Sequence, residues 1–384
     1  MRRAASILCA GLILSVGCDR GTTSPPPRTR LSVTDVLAGD VQGFTRALTP
    51  RAFVFPQDHA EHADFRNEWW YLTGHLNDSD GGYYGYQLTF FRTALAVTAP
   101  QRESTWAAQN LYMGHLALSD VATGEFHQAE RFARGALGLA GTTVDPLSVW
   151  LEGWRLEAMP LGSDSPQGGL PELRLRASED DFAIDLRLRS SRPVIAQGDN
   201  GLSRKGASPG NASHYYSVTR LGTAGVIRVG GVSHEVEGSS WFDREWSTSA
   251  LESDQVGWDW FSLQLSDGRD LMVYLMRLAD GTNDAVSSGT LVEPDGSTVH
   301  LQRADFEVRV LDHWQSREGA VYPSGWRIHV PSIDLELEVE PMLADQEFAA
   351  TFRYWEGMVR AQGSAAGNPI TARGFVELTG YPLN

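Results

Sequence analysis

Two carboxylates and an indole alternate in the segment Ser240-Trp-Phe-Asp-Arg-Glu-Trp246, which is followed by Gly257-Trp-Asp-Trp-Phe261. Successive side chains of a β-strand point to opposite faces, so a strand here would place Trp241, Asp243 and Glu245 on one face. That face fits neither an apolar core nor a solvent-exposed surface. It is typical of the wall of a polar, aromatic-lined cavity, where carboxyl groups can do acid/base chemistry on a bulky apolar substrate. We therefore predict that Asp243 and Glu245 are catalytic and that Trp241 contacts substrate.

One acid among aromatic residues recurs in three more segments, at Glu68 with Trp70, at Asp259 with Trp258 and Trp260, and at Glu356 with Tyr354. A carboxylate flanked by indoles inside a barrel would have a raised pKa through desolvation, as a general acid needs near neutral pH. We predict a catalytic role for Glu68 and substrate contacts for the other residues of these segments. The alternative for Glu68 is a buried carboxylate neutralised by Arg66, Arg92 or Arg244.

A histidine and two tyrosines complete the candidate site. His115 lies on a short apolar strand predicted over residues 113–120. We predict a catalytic role for it, the alternative being a buried histidine satisfied by a backbone or carboxylate partner. Tyr86 and Tyr216 are predicted substrate contacts, although cross-strand aromatic packing explains Tyr216 equally well.

Metal and cofactor sites find little support in the sequence. His59 and His62 are three residues apart, which could place both on one side of a helical turn as metal ligands, but a surface loop is the commoner outcome. The chain has no Gly-rich phosphate loop, Walker pattern, Gly-x-Ser-x-Gly elbow or Cys-x-x-Cys pair. These absences disfavour nucleotide binding, esterase-elbow chemistry and thiolate zinc. We predict no metal and no cofactor.

The N-terminal segment is typical of a secretory leader. Arg2 and Arg3 precede a mostly apolar run over residues 4–16 that is too short for a stable membrane span. Gly17-Cys18 resembles a bacterial lipoprotein cleavage site, with Cys18 as the lipidated first residue, and a plain signal peptide is the alternative. Either leader predicts an extracytoplasmic, periplasmic protein. The lipoprotein form would also be anchored to the membrane.

Length, charge and strand pattern then bound the fold. The 384 residues are long enough for two domains, and the net charge of −16 excludes nucleic acid as a partner. Alternating apolar segments separated by Asp-Gly and Ser-Gly turns predict an all-β chain of sixteen to twenty antiparallel strands, too many for one small barrel of about eight. We predict a leader at 1–18, a tether and short helix at 19–52, and two barrels at 53–240 and 241–384.

Several ordered segments resemble AttH-like proteins, a group related to carotenoid 1,2-hydratase (hydroxyneurosporene synthase) and often described as secreted hydrolases. The resemblance extends over about residues 53 to 381 and rests on segments 55–62, 65–74, 85–92, 114–120, 215–221, 240–246, 257–261 and 354–357. It implies two tandem lipocalin-like β-barrels in an extracytoplasmic setting.

The resemblance also implies a reaction. Carotenoid hydratases add water across an isolated C=C bond, so Asp243 and Glu245 would serve as acid and base, with Trp241, Trp258 and Trp260 stabilising the developing cation. The leading expectation is an enzyme that hydrates or hydrolyses an apolar, isoprenoid-like or lipid-like substrate. The alternative is a non-catalytic lipocalin-type carrier of a hydrophobic ligand, placed beside an ABC-type transporter. A purely structural lipoprotein would leave the repeated acid–aromatic pairs unexplained.

Overall fold

The structure, a computed structural model, describes residues 41–98, 104–159, 169–249 and 251–383, and these are almost entirely β. Three short 3-10 helices lie at Gln57–His59, Arg303–Asp305 and Pro331–Ile333. The strands are β1 Asn67–Asp78, β2 Tyr83–Ala94, β3 Asn110–Asp120, β4 Glu125–Arg134, β5 Ala140–Val144, β6 Leu147–Leu151, β7 Trp154–Ala158, β8 Leu173–Ser178, β9 Phe182–Ser190, β10 Ile195–Ala196, β11 Leu202–Arg204, β12 Ala212–Val229, β13 Val232–Ser247, β14 Gln255–Leu265, β15 Asp270–Leu278, β16 Ser288–Val292, β17 Thr298–Gln302, β18 Glu307–Gln315, β19 Val321–Val330, β20 Leu335–Pro341, β21 Glu347–Ala349, β22 Arg353–Ala365 and β23 Asn368–Thr379.

The strands form two antiparallel sheets of the same plan. The first sheet runs β4-β3-β2-β1-β13-β12-β9-β8-β7-β6-β5, and the second runs β17-β16-β15-β14-β23-β22-β20-β19-β18. In each, the first strand pairs with the last strand at the middle of the sheet. Both sheets curl into nearly closed barrels, which confirms the predicted all-β class with two tandem barrels.

Alternation of apolar and polar residues explains why each sheet curls. Strands such as β8 and β20 bury every second side chain, for example Leu173 and Leu175, or Leu335 and Leu337. Because side chains alternate between faces, each sheet has one continuous apolar face, and curling buries that face on itself. Each barrel therefore has its own core, centred on residues such as Trp70 and Trp154 in the first and Phe261 and Trp326 in the second.

The change from one sheet to the other comes later than predicted. β13 belongs wholly to the first sheet because it pairs with β1 on one side and β12 on the other, and the second sheet begins at Gln255. The predicted boundary between residues 240 and 241 therefore falls inside β13. The segment from Trp241 to Trp246 therefore belongs to β13, at the middle of the first sheet.

The predicted N-terminal helix is wrong for its described part. Residues 41–52 form turns and irregular structure, with Leu48 exposed and Thr45 N–H bonded to the Asp64 carbonyl. The part of the predicted helix before residue 41, the leader and Cys18 lie outside the described residues. Secretion and lipidation stay predictions, which mass spectrometry of the mature N-terminus can check. Within the described ranges, no helix has the length and apolar character needed to cross a membrane.

A third apolar cluster joins the two barrels. It consists of side chains on the outer faces of the central strands of both sheets, namely Tyr71, Tyr215, Trp241, Trp260, Met272, Tyr274, Met276, Met358 and Phe375. The outward-facing side chains in this cluster are aromatic residues and methionines, not charged residues. The two barrels therefore pack against each other along their central strands, and we call this contact the seam.

Candidate active site at the seam

A cavity of about 340 Å³ lies at the seam, lined by residues of both barrels. In β1, alternation sends Trp69 and Tyr71 to the cavity and Trp70 and Leu72 to the first core. Indoles of Trp69, Trp258 and Trp260 form much of the wall, and Asp243, Glu245 and Glu377 bring carboxyl groups to it. The cavity therefore lies between the two barrels, where their central strands meet.

Asp243 is buried against the cavity and has only uncharged hydrogen-bond donors. Ser217 donates its hydroxyl to one carboxyl oxygen, and the Trp241 indole N–H donates to the same oxygen at 2.8 Å. Burial raises the pKa of Asp243 from 3.8 to about 7, although its bonds to Ser217, Trp241 and Tyr215 act in the opposite direction. Asp243 is therefore partly protonated at neutral pH and can donate a proton.

Glu377 is a second carboxyl group of this kind, contributed by β23 of the second barrel. Burial raises its pKa to about 7, against a bond from the Trp258 indole N–H at 3.3 Å, and the neighbouring Glu245 and Asp243 raise it further. Sequence reasoning missed this residue.

Glu245 has a different environment from its two acidic neighbours. Its carboxylate accepts a hydrogen bond from Ser213 and lies 3.0 Å from the ammonium nitrogen of Lys205. That ammonium also lies over the rings of Tyr274 and Tyr215, at 4.5 and 5.4 Å. Glu245 therefore lines the cavity as part of an ion pair, in which Lys205 and Ser213 both contact the same oxygen, Oε1.

Glu356 lies one layer behind the cavity wall. It is buried, and the Tyr71 hydroxyl, which does line the cavity, donates to one of its oxygens at 2.6 Å. Burial, together with the charges of Glu377 and Asp243, raises the pKa of Glu356 well above its ordinary value. Glu356 therefore holds Tyr71 in place as a neutral carboxylic acid and does not itself line the cavity.

His115 and Tyr354 meet at the cavity from opposite barrels. The Nδ1 atom of His115 lies 2.8 Å from the Tyr354 hydroxyl, and its Nε2 atom lies 3.1 Å from a carboxylate oxygen of Glu130. Burial lowers the pKa of His115, although Glu130 raises it, so the imidazole is neutral at pH 7. Both predicted residues line the cavity, and Glu130 was not predicted.

Glu68 contradicts the predicted general acid. Its two oxygens bind the guanidinium groups of Arg92 and Arg244, and one also accepts the backbone N–H of His62 at 3.1 Å. Burial would raise the pKa of Glu68, but the two arginines outweigh it and hold that pKa far below its ordinary value. Glu68 is therefore a buried carboxylate neutralised by arginines, which is the alternative given for it above, and it cannot supply a proton.

Three predicted substrate contacts lie in the core of the first barrel and do not line the cavity. The Trp70 indole N–H donates to the His59 carbonyl at 2.8 Å, and the Tyr86 hydroxyl lies 2.7 Å from the Ser240 hydroxyl. Tyr216 is 2.6 Å from Nδ1 of His59. Each occupies an inward position of its strand, so alternation turns it away from the seam.

Two further predicted contacts lie beside the cavity without lining it. Trp241 packs edge-on against Trp260 and binds Asp243. Asp259 lies on the face of β14 opposite to Trp258 and Trp260, 2.9 Å from Arg277, and it accepts the Tyr381 hydroxyl at 3.0 Å. Trp258 and Trp260, in contrast, do line the cavity.

His59 and His62, the pair considered as metal ligands, make other contacts. His59 is stacked on Phe55, and His62 is stacked on Trp246 and bonded to Asp58 and Glu68. Among the described residues, no group of three or more His, Cys, Asp or Glu side chains is arranged to hold a metal.

A repeat between the barrels gives the signal that would have found Glu377. Glu245 lies opposite Trp69 in the pairing of β1 with β13, and Glu377 lies opposite Trp260 in the pairing of β14 with β23. Each tryptophan directly follows an acid that binds an arginine of the next strand, Glu68 with Arg92 and Asp259 with Arg277. Glu245 and Glu377 therefore occupy equivalent positions of a duplicated barrel.

Comparison with known proteins agrees with this architecture. A family model of AttH-like proteins matches residues 46–381. The crystal structure of an AttH-type protein from Nitrosomonas europaea shares 34% sequence identity, with a TM-score of 0.76, over 88% of this chain and 99% of that one. Kievitone hydratase from Nectria haematococca has a similar fold, with a TM-score of 0.66 and 16% identity over 89% of this chain and 97% of that one. No curated protein matches the sequence. The chain belongs to the AttH-like family.

Proposed function

We propose that the protein is an enzyme that adds water to a C=C bond of an apolar, isoprenoid-like molecule bound in the seam cavity. One observation carries the proposal. Asp243 is a buried carboxyl group at a cavity walled by indoles, and burial raises its pKa to about 7. An ordinary aspartate is fully ionised at neutral pH and has no proton to donate, whereas this one does.

The surroundings of Asp243 suit each part of such a reaction. Protonation of an alkene carbon by Asp243 leaves positive charge on the adjacent carbon, and the indoles of Trp258 and Trp260 are placed to attract that charge. The Ser217 hydroxyl and the Trp241 N–H hold the carboxylate that remains. Water then forms the C–O bond and releases one proton, so the net change is the addition of one water molecule.

Two likenesses support this reaction class over others. The fold is shared with a protein named for kievitone hydration, at 16% identity, and the sequence segments resemble carotenoid 1,2-hydratases. The mostly apolar, aromatic lining of the cavity favours an isoprenoid-like substrate over a sugar or a nucleotide. Action outside the cytoplasm remains part of the proposal and depends on the N-terminal leader.

The test is turnover of an isoprenoid panel consisting of kievitone, farnesol and lycopene. Purified protein is incubated with each in ¹⁸O-labelled water, and products are analysed by mass spectrometry. We expect a product that gains one labelled water. The Asp243→Asn variant should lose at least about a hundredfold in kcat, because it removes the proton donor. Its affinity, measured by quenching of tryptophan fluorescence, should stay close to that of the wild type.

Asp270→Asn is the matched control. Asp270 is also a buried acid on a central strand, but it binds Arg220 and Thr219 and does not line the cavity. This variant should lose stability and keep its kcat. Binding of the panel with no product from any protein would instead indicate a carrier. Cleaved products would indicate a hydrolase, and either outcome would overturn the proposal.

A further inference from the structure

A chain of three hydrogen-bonded side chains ends at the wall of the cavity. The Tyr354 hydroxyl lies 2.8 Å from Nδ1 of His115, and Nε2 of His115 lies 3.1 Å from Glu130. Glu130 accepts the backbone N–H of Thr351 with its other oxygen, at 3.0 Å. The imidazole is held by stacking on Phe348 at 4.3 Å.

The partners fix where the protons lie. A carboxylate only accepts hydrogen bonds, so Nε2 of His115 carries the hydrogen and donates to Glu130. Nδ1 is then the acceptor, and the Tyr354 hydroxyl donates to it. The Tyr354 oxygen also accepts the side-chain N–H of Gln87 at 3.0 Å. This is the order of groups in a hydroxyl–imidazole–carboxylate triad, with a tyrosine as the hydroxyl residue.

We propose that Tyr354 is the catalytic base of the hydration reaction and that His115 and Glu130 are its positioning residues. As water forms its C–O bond, it transfers one proton to the Tyr354 oxygen, while the Tyr354 hydroxyl proton moves to Nδ1 of His115. The imidazolium that results is stabilised by Glu130. Asp243 has given one proton to the alkene, and solvent returns one to it from His115, so atoms and charge balance. This assignment rests on the proposed function.

Glu245 and Glu68, which are also predicted to be catalytic, are less suited to act as the base. Glu245 is bound by Lys205 and Ser213, and Glu68 is bound by two arginines. Tyr354 instead lines the cavity, and its hydroxyl has a neutral base, the His115 imidazole, behind it. The titratable groups that face His115 and Tyr354 are the acids Glu130, Glu356 and Glu377. The Glu130 carboxylate, which is bonded to Nε2 of His115, favours the imidazolium form during the proton transfer.

The hydrogen-bonded chain of Tyr354, His115 and Glu130, which we call the relay, also requires both barrels. His115 and Glu130 belong to β3 and β4 of the first barrel, whereas Tyr354 and Thr351 belong to the second. Asp243 and Glu377 divide between the barrels in the same way. The residues that transfer protons therefore come together only where the two barrels meet.

The experiment compares Tyr354→Phe and Glu130→Gln with the wild type on the panel member that the wild type hydrates. Tyr354→Phe should lower kcat about a hundredfold or more, since general base catalysis contributes at least that much. Wild-type kcat should rise with pH as His115 loses its proton, below pH 6.5, and fall as Asp243 ionises near pH 7. Glu130→Gln removes the charge that raises the pKa of His115, so its acid limb should move to lower pH.

Tyr322→Phe is the matched control, because Tyr322 is a buried tyrosine that donates to Glu347 at 2.9 Å and does not line the cavity. It should keep the wild-type kcat and pH profile. A Tyr354→Phe enzyme with wild-type kcat would overturn the relay while the proposed hydration stands. A Glu130→Gln enzyme with reduced kcat and an unmoved acid limb would do the same. Absence of turnover by the wild type would overturn the proposed function and the relay together.

Discussion

Asp243 and Glu68 show that a buried acid beside indoles has no fixed protonation state. Asp243 has uncharged donors around it, and burial raises its pKa to about 7. Glu68 is at least as deeply buried, but Arg92 and Arg244 hold its pKa far below the ordinary value. The aromatic neighbours are similar in the two cases. The nearest charges decide whether the residue donates a proton or forms an ion pair.

A pH dependence of stability follows for Asp243. Its folded pKa, near 7, exceeds its ordinary value of 3.8, so between these pH values the folded protein holds a proton that the unfolded chain has lost. Its contribution to stability is complete below about pH 4 and is lost as the pH rises through 7. The Asp243→Asn variant has no ionisable group at this position, so it does not lose this stability as the pH rises. The free energy of unfolding of the variant, relative to the wild type, should therefore increase by up to about 4 kcal/mol between pH 4 and pH 8.

Urea denaturation across that pH range measures the difference. Contributions of the substitution that do not depend on pH cancel, because only the change of the difference with pH is compared. A difference that stays constant would mean that Asp243 is already ionised in the folded protein at pH 4, which contradicts the role proposed for it.

At the scale of the element, strand β1 contributes side chains to the seam, to the first core and to a buried ion-pair network. Trp69 and Tyr71 face the seam, Trp70 faces the first core, and Glu68 at the start of the strand binds Arg92 of β2 and Arg244 of β13. Glu68 therefore links β2, β1 and β13, three adjacent strands at the middle of the first sheet. This explains a buried acid at a position where catalysis has no use for it.

We expect Glu68→Gln to destabilise the protein by about 3–5 kcal/mol, because it leaves two buried guanidinium groups without a counter-charge. Urea denaturation at neutral pH is the measurement. Glu340→Gln is the control, since the exposed pair of Glu340 and Arg360 should contribute less than about 1 kcal/mol. An equal effect of the two substitutions would show that the network around Glu68 does not stabilise the barrel.

At the scale of the whole molecule, the site exists because two copies of one barrel plan pack through their central strands. In both sheets the first strand pairs with the last, and both bring a tryptophan and a glutamate to the seam at equivalent positions. Close approach of the barrels depends on small residues at the contact. A Cβ atom on Gly85 of β2 would lie 2.6 Å from the sulfur of Met358 in β22.

Gly85→Val should therefore act as a wedge in the seam. We expect a loss of about 1–3 kcal/mol in stability from overpacking and a larger proportional loss of turnover, because Asp243 and Tyr354 would move apart. Gly222→Val is the control, since a Cβ atom there meets only the Arg189 carbonyl at 3.8 Å. Turnover and stability are measured for both. Unchanged turnover in the wedge variant would argue against chemistry shared by the barrels.

The sequence by itself determined the all-β class, the duplication into two barrels and the alternation that groups Asp243 with Glu245. These features are local, because the side-chain period of a strand depends only on neighbouring residues. The sequence could not tell which acids have arginine partners, since Glu68 meets Arg244 across 176 residues. Nor could it bring His115 to Tyr354, 239 residues away. Strand pairing within the first barrel decided the contact of Glu68 with Arg244, whereas the packing of one barrel on the other decided that of His115 with Tyr354. These contacts form only in the folded chain, and they decide which acids are charged and where the proton-transfer groups meet.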